Sequence, residues 1–177
     1  MMPSILNQAD HVVLMPRCSR HMMAGNTLGL KAAVGWWRPD TRKAFHMNAL
    51  KIQELAADGN TVPSLLDKQR LVLTTATKML TTNGPDEGYV HTPDTGLIIA
   101  SESVVAHDMV SLAWLLEGCK ATPKGEKDRE YLDSIWECKT LNRAYKSFNG
   151  RPRVALQAEG GSVPPAIIKT LAVNTTK

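Results

Sequence analysis

Short apolar runs alternate with stretches of helical spacing along this chain. His11–Met15 (HVVLM) holds two adjacent valines and is closed by Pro16, which predicts a buried strand. Leu71–Thr75 (LVLTT) and Leu97–Ala100 (LIIA) predict two further strands, the second entered through Pro93-Asp94-Thr95-Gly96. Thr27 stands where it can cap a helix running to about Val34, with Gly35 as the stop. A second helix starts at Asp40 or Thr41. It repeats Phe45, Ala49, Ile52 and Leu55 or Ala56 at helical spacing and ends at Asp58-Gly59-Asn60. Ser101 or Ser103 caps a third helix, 104–118, which is apolar nearly all round and therefore predicted to be buried, with Gly118 at its end.

The remaining segments are more polar. Residues 16–26 predict a Gly-containing loop, Ala121–Asp128 a charged loop, and 129–148 a more exposed helix. The segment after Gly150 carries Gly160-Gly161 and Pro164-Pro165 and predicts a loop-rich tail. Strand, loop, helix and strand in that order predict an α/β fold, a mostly parallel sheet flanked by helices. The 177 residues suffice for one such domain, placed at 1–150, with 151–177 as the tail. Ligands of α/β sheets gather where strands end and loops lead into helices. The 16–26 segment lies at such a place.

Charge sharpens that location. Arg17–His46 holds six Lys/Arg (Arg17, Arg20, Lys31, Arg38, Arg42, Lys43) against one acid, Asp40, a local balance of +5. The whole chain is only +4, so everything outside this stretch sums to −1. The segment also holds His21, His46 and three glycines. Glycine lets backbone N–H groups come close to a ligand and the cations supply field, a combination suited to an anionic group.

Composition narrows the function classes. Apolar residues at 43% and charged residues at 21% fit a globular protein. Cations exceed anions only 21 to 17 and aromatics are 5%, which argues against a specific nucleic-acid binder. No apolar run is long enough to span a bilayer, and the N-terminus lacks a basic start followed by a long apolar stretch, so no membrane partner or secretory signal is expected. Cys18, Cys119 and Cys138 are far apart and form no CxxC pair, which predicts free thiols in a reducing, cytoplasmic setting rather than a zinc ribbon or an iron–sulfur cluster. Cys18, between Arg17 and Arg20, is either a reactive thiolate or a passive thiol.

Several spaced motifs carry a family resemblance. The run Asp10–Lys31, DHVVLMPRCSRHMMAGNTLGLK, resembles the family known as domain of unknown function 362. In that family an apolar strand and a proline precede a basic/His element and then a Gly-x-Thr-x-x-x-Lys run. His21 fits the histidine, and Gly25, Thr27 and Lys31 fit the run. GWWRPDTRKAFH is similar to its Gly, Arg, His pattern at Gly35, Arg42 and His46. Gly84-Pro85-x-x-Gly88 and LIIASESVVAHDMVSLAW look like its turn and its strand–helix segment, with Asp108 as the family's aspartate. The resemblance covers roughly residues 10–118. It implies an α/β fold and, through the family's frequent ferredoxin-like segments, a ferredoxin-like redox partner. This chain lacks that Cys-rich segment and the further αβ region that usually precedes these motifs, so it reads as an incomplete or truncated domain.

Three functions are carried forward. The first is an enzyme on a small anionic molecule bearing phosphate or carboxylate. Arg17, Lys31 and Arg42 would clamp it with Gly25 and Thr27 in the same loop, His21 or His46 would act as acid/base, and Asp108 as orienter or general base. Asp108 could instead stabilise a helix N-terminus. The second is a metal or iron–sulfur-linked redox protein, with His21 and His46 joined by His91, His107 or Asp108, although no HxxxH spacing points to it. The third is a non-catalytic interaction module, a homo-oligomer formed through an unfilled sheet. Gly84–Gly88 is either a plain turn or a mobile lid with two carboxylates.

Overall fold

Twelve residues of one strand, Gln69–Leu80, take part in every strand pairing but one among the described residues. The computed structural model describes residues 2–47, 51–126 and 130–172. In chain order its elements are α1 (Ile5–Gln8), β1 (Val12–Leu14), β2 (Arg17–His21), β3 (Gly25–Thr27), α2 (Gly29–Ala32), α3 (Pro39–His46) and α4 (Ile52–Asp58). There follow α5 (Pro63–Leu66), β4 (Gln69–Leu80), β5 (Val90–His91), β6 (Leu97–Ser101), α6 (Val104–Lys120), α7 (Lys139–Ser147) and α8 (Pro165–Ala172). Short 3-10 turns follow α2 and α4 and precede α7.

The fold is α/β with a mixed sheet. β1 and β2 lie in line along one edge of β4, both parallel to it. β6 and β5 pair antiparallel along the other edge, and β3 folds back on β2 as a hairpin. The break between β1 and β2 falls at Met15-Pro16, where proline has no N–H to donate to the ladder. The Thr74 hydroxyl, fully buried, donates to the Pro16 carbonyl at 3.2 Å and holds the break against β4. Alternation along β4 buries Val72, Thr74 and Ala76 on the helix side and turns Thr75 and Thr77 outward.

The long apolar helix forms as its sequence predicts and continues to Lys120. The Ser103 hydroxyl caps it by accepting from the Ala106 N–H at 3.2 Å. Gly118 lies within the helix rather than stopping it. A Cβ there would stand 2.6 Å from Met79 Cε, so the glycine lets α6 approach β4. Thirteen α6 residues are buried, against β4, β6 and β2 on one side and α2, α7 and α8 on the other.

Other expectations change in form. The 16–26 loop is instead β2, a turn and β3, because β4 and β3 offer β2 a hydrogen-bonding edge on each side. Thr27 is part of β3 and caps nothing. The following helix starts at Gly29, and Gly35 sits inside the 3-10 turn Ala33–Trp36. The helix expected from Asp40 to Asp58 is two, α3 and α4; Ala49 lies outside the described residues. Of the expected helix 129–148, Arg129 lies outside them too, and only Lys139–Ser147 is α-helical. Its buried Thr140, Leu141 and Ala144 face the core, and Arg143 holds Asp58 of α4 in a two-pronged ion pair at 2.8 Å for each arm. The tail includes α8, whose buried Ile167 joins the core beside α6.

No residue of α2 or Leu28 before it supplies a side-chain cap for that helix. Its first two amides instead donate to a side chain far along the chain: Gly29 N–H to Asp108 Oδ1 at 2.7 Å and Leu30 N–H to Oδ2 at 2.9 Å. The same carboxylate accepts from His107 Nδ1 at 2.8 Å, and the Ser111 hydroxyl lies 3.3 Å from His107 Nε2. Gly29 makes the approach possible, since a Cβ there would stand 2.8 Å from Asp108 Oδ1 and 3.0 Å from Val72 and Val104. Asp108→Ala would strand two backbone donors and a buried imidazole. We expect it to lower the unfolding free energy by about 3–5 kcal/mol in urea titrations. A loss below about 1 kcal/mol would contradict this view of the joint.

Candidate functional site

β2 places its residues alternately on two sides. Arg17, Ser19 and His21 share one side, and the hairpin register sets Ser19 opposite Thr27 and His21 opposite Gly25. Cys18 falls on the other side, buried, with its Sγ 3.6 Å from the Ser111 carbonyl. Burial pushes its thiol far up, the opposite of what flanking arginines suggest, so the reactive-thiolate reading of Cys18 is corrected.

Four of the proposed residues stand within electrostatic reach of one another. His21 is pushed down to about 4, first by burial, then by Lys31 and His46 and also by Arg17, while Asp86 opposes the shift. Lys31 is held below its ordinary value by burial and by Arg17. None of the ion pairs among the described residues involves Arg17 or Lys31. Arg17 is exposed and donates from Nη2 to the Pro85 carbonyl at 3.0 Å. Arg17, Lys31 and His46 thus stand near His21, with Asp86 as a neighbouring acid.

The two histidines differ in which nitrogen is free. Met23 N–H and Ala24 N–H both donate to His21 Nδ1 at 3.2 Å, so the neutral ring carries its proton on Nε2 and can only donate there. His46 closes α3 with Nδ1 2.7 Å from the Arg42 carbonyl. A carbonyl only accepts, so that nitrogen holds the proton, and the neutral ring keeps a lone pair on Nε2.

The other proposed residues lie elsewhere or do other work. Asp108 has both oxygens engaged by α2 and His107 and is 2% exposed, so it acts as a brace within the fold. Arg42 is exposed on α3. Gly25 takes φ +78 in the hairpin, a backbone that favours glycine, and faces Tyr131 and Gln53 at a separate small cavity. Thr27 Oγ1 is shielded from water and has no hydrogen-bond partner among the described residues. The Gly84–Gly88 segment is a fitted turn: Met22 N–H donates to the Gly84 carbonyl at 3.0 Å, and a Cβ at Gly84 would collide with the Arg20 carbonyl.

Two residues that the sequence reading passed over stand beside Arg17. Ser19 is 3% exposed, with Oγ unpartnered among the described residues, and Lys78 stands exposed on β4. Both line an open cleft of about 480 Å³ with Arg17 and Asp86, a lining that does not include Lys31, His21 or His46. The i, i+2 spacing of Arg17, Ser19 and His21 is the signal that could have found Ser19, once this segment is taken as a strand.

The family model described as Domain of unknown function (DUF362) matches residues 1–113. The chain belongs to this family. The DUF362 match runs from the first residue into α6 and includes every candidate from Arg17 to Asp108. No curated protein and no solved structure matches the chain. Among the described residues of this DUF362 protein, no group of three His, Cys, Asp or Glu is placed to hold a metal, and no helix is long and apolar enough to cross a membrane.

The lowered His21 pKa sets a pH dependence. The unfolded chain binds a proton at His21 near its ordinary 6.5, while the fold resists protonation down to about 4. Stability from this ring is therefore full above pH 6.5, declines as pH falls from 6.5 to 4, and is lost below that. His21→Gln should fall less than wild type between pH 7 and pH 4.5 in urea unfolding. An equal fall in both proteins would show that His21 titrates normally.

Proposed function

We propose that this DUF362 protein binds a small anionic molecule, carrying phosphate or carboxylate, between Arg17 and Lys31. The observation that carries the reading is Lys31: an ammonium held below its ordinary value first by burial and then by the Arg17 guanidinium, with no ion-pair partner among the described residues. Such an arrangement is unfavourable until an anion enters, and a ligand that relieves it gains binding energy from that relief. Arg17 supplies a planar fork and Lys31 a point charge. His21 adds one fixed donor through Nε2. His46, with Nε2 free, is the acid/base if the protein is an enzyme, and Asp108 is a positioning residue that orders α2 and so Lys31. Three unpaired thiols suit a reducing compartment such as the cytoplasm.

Inorganic phosphate at tenfold excess over its Kd should raise the melting temperature by about 3–5 °C. An Arg17→Ala, Lys31→Ala double variant should show no such rise. Failure of phosphate, sulfate and simple carboxylates to stabilise the wild-type protein would overturn the proposal.

A second reading, assembly into a homo-oligomer, is favoured by the outer sheet face, where Ile98 is 70% exposed and Val13 is 48% exposed. Sedimentation velocity should show a dimer that Ile98→Lys converts to monomer. A wild-type monomer at high concentration would dismiss it.

A further inference from the structure

We infer that the cleft beside Arg17 takes an amphiphilic organic anion, whose charged head meets Arg17 and Lys78 and whose apolar body lies along the outer sheet face. The inference rests on the anion reading above and deepens it. Its basis is the size and the mixed apolar and charged lining of the cleft.

The volume of about 480 Å³ lies in the range, about 300–1,000 Å³, of sites that hold whole small organic molecules. A bare phosphate would leave most of it filled with water. The lining mixes charged and polar groups with apolar ones. Arg17, Lys78 and Asp86 give a positive balance. Met15, Leu73, Leu80 and Val90 supply apolar surface in the same cleft. The sheet explains why both kinds occur together. Leu80 is paired with Ser19 on one side and Val90 on the other, and Thr75, Thr77 and Lys78 stand between Leu73 and Leu80 on β4, so apolar and polar groups are interspersed along the cleft.

The exposure of these apolar groups points the same way. Met15 is 74% exposed and Val90 53% exposed, although both border a cleft rather than a convex surface. An alkyl or aryl body laid between them would be desolvated with them, which an inorganic anion cannot do. Methionine at the rim adapts to bodies of different shape. The ligand class is thus an alkyl or aryl phosphate or carboxylate.

The test is isothermal titration of the full chain with inorganic phosphate and with ethyl, butyl and hexyl phosphate, all monomeric in solution. Affinity should rise about two- to fourfold per added methylene. In a Met15→Ser, Val90→Ser variant, both sites being exposed, the rise should flatten while inorganic phosphate binds as before. Arg17→Ala should weaken the whole series, and hexanol, which lacks the charge, should not bind. Phosphate binding with no dependence on chain length would overturn this inference and leave the anion reading standing. Binding of none of the series would remove both. A chain-length dependence unchanged in both variants would place the apolar contact elsewhere and overturn the inference.

Discussion

The Asp108 carboxylate joins the long helix α6 to the first turn of α2. One oxygen accepts from Gly29 N–H and His107 Nδ1, the other from Leu30 N–H, inside a region closed to water. A charge buried this deeply is tolerable only when donors surround it, and here they do. Gly29 is the other half of the joint, since any side chain would meet the carboxylate and two valines. The first turn of α2 is thereby fixed to α6. Lys31 follows within that same turn, so its place near Arg17 and His21 depends on a residue that touches neither.

The cations at this place weaken one another. Arg17 and His46 act against protonation of His21, and burial acts against both His21 and Lys31. Core packing elsewhere must offset that repulsion, with α6 contributing thirteen buried residues. Locally unfavourable arrangements held by a stable surround are where ligand chemistry tends to lie. The backbone finishes the arrangement by fixing which nitrogen of each histidine is free.

What was legible in the sequence was local. β1 and β6 follow from uninterrupted apolar runs, and α6 from its apolar surface and its Ser103 cap. β2 was hidden because Arg17, Ser19, Arg20 and His21 make it polar on both sides; its strand state comes from the edges of β4 and β3. The cation cluster was visible as a charge imbalance, yet its membership was not. Arg42 belongs to the exposed face of α3, and Lys78 enters from a strand far along the chain. Of the two readings of Cys18 the passive thiol holds, because burial in the strand outweighs the flanking arginines. The work of Asp108 was hidden for a different reason: its partners Gly29 and Leu30 lie 79 and 78 residues away.

The account stands on the claim that Arg17 and Lys31 together hold an anion. Anomalous diffraction from crystals soaked in tungstate, a heavy analogue of phosphate, tests it most directly. The account predicts a peak within hydrogen-bonding distance of the Arg17 guanidinium and the Lys31 ammonium. Those two side chains directed apart into solvent, with no peak between them, would contradict it.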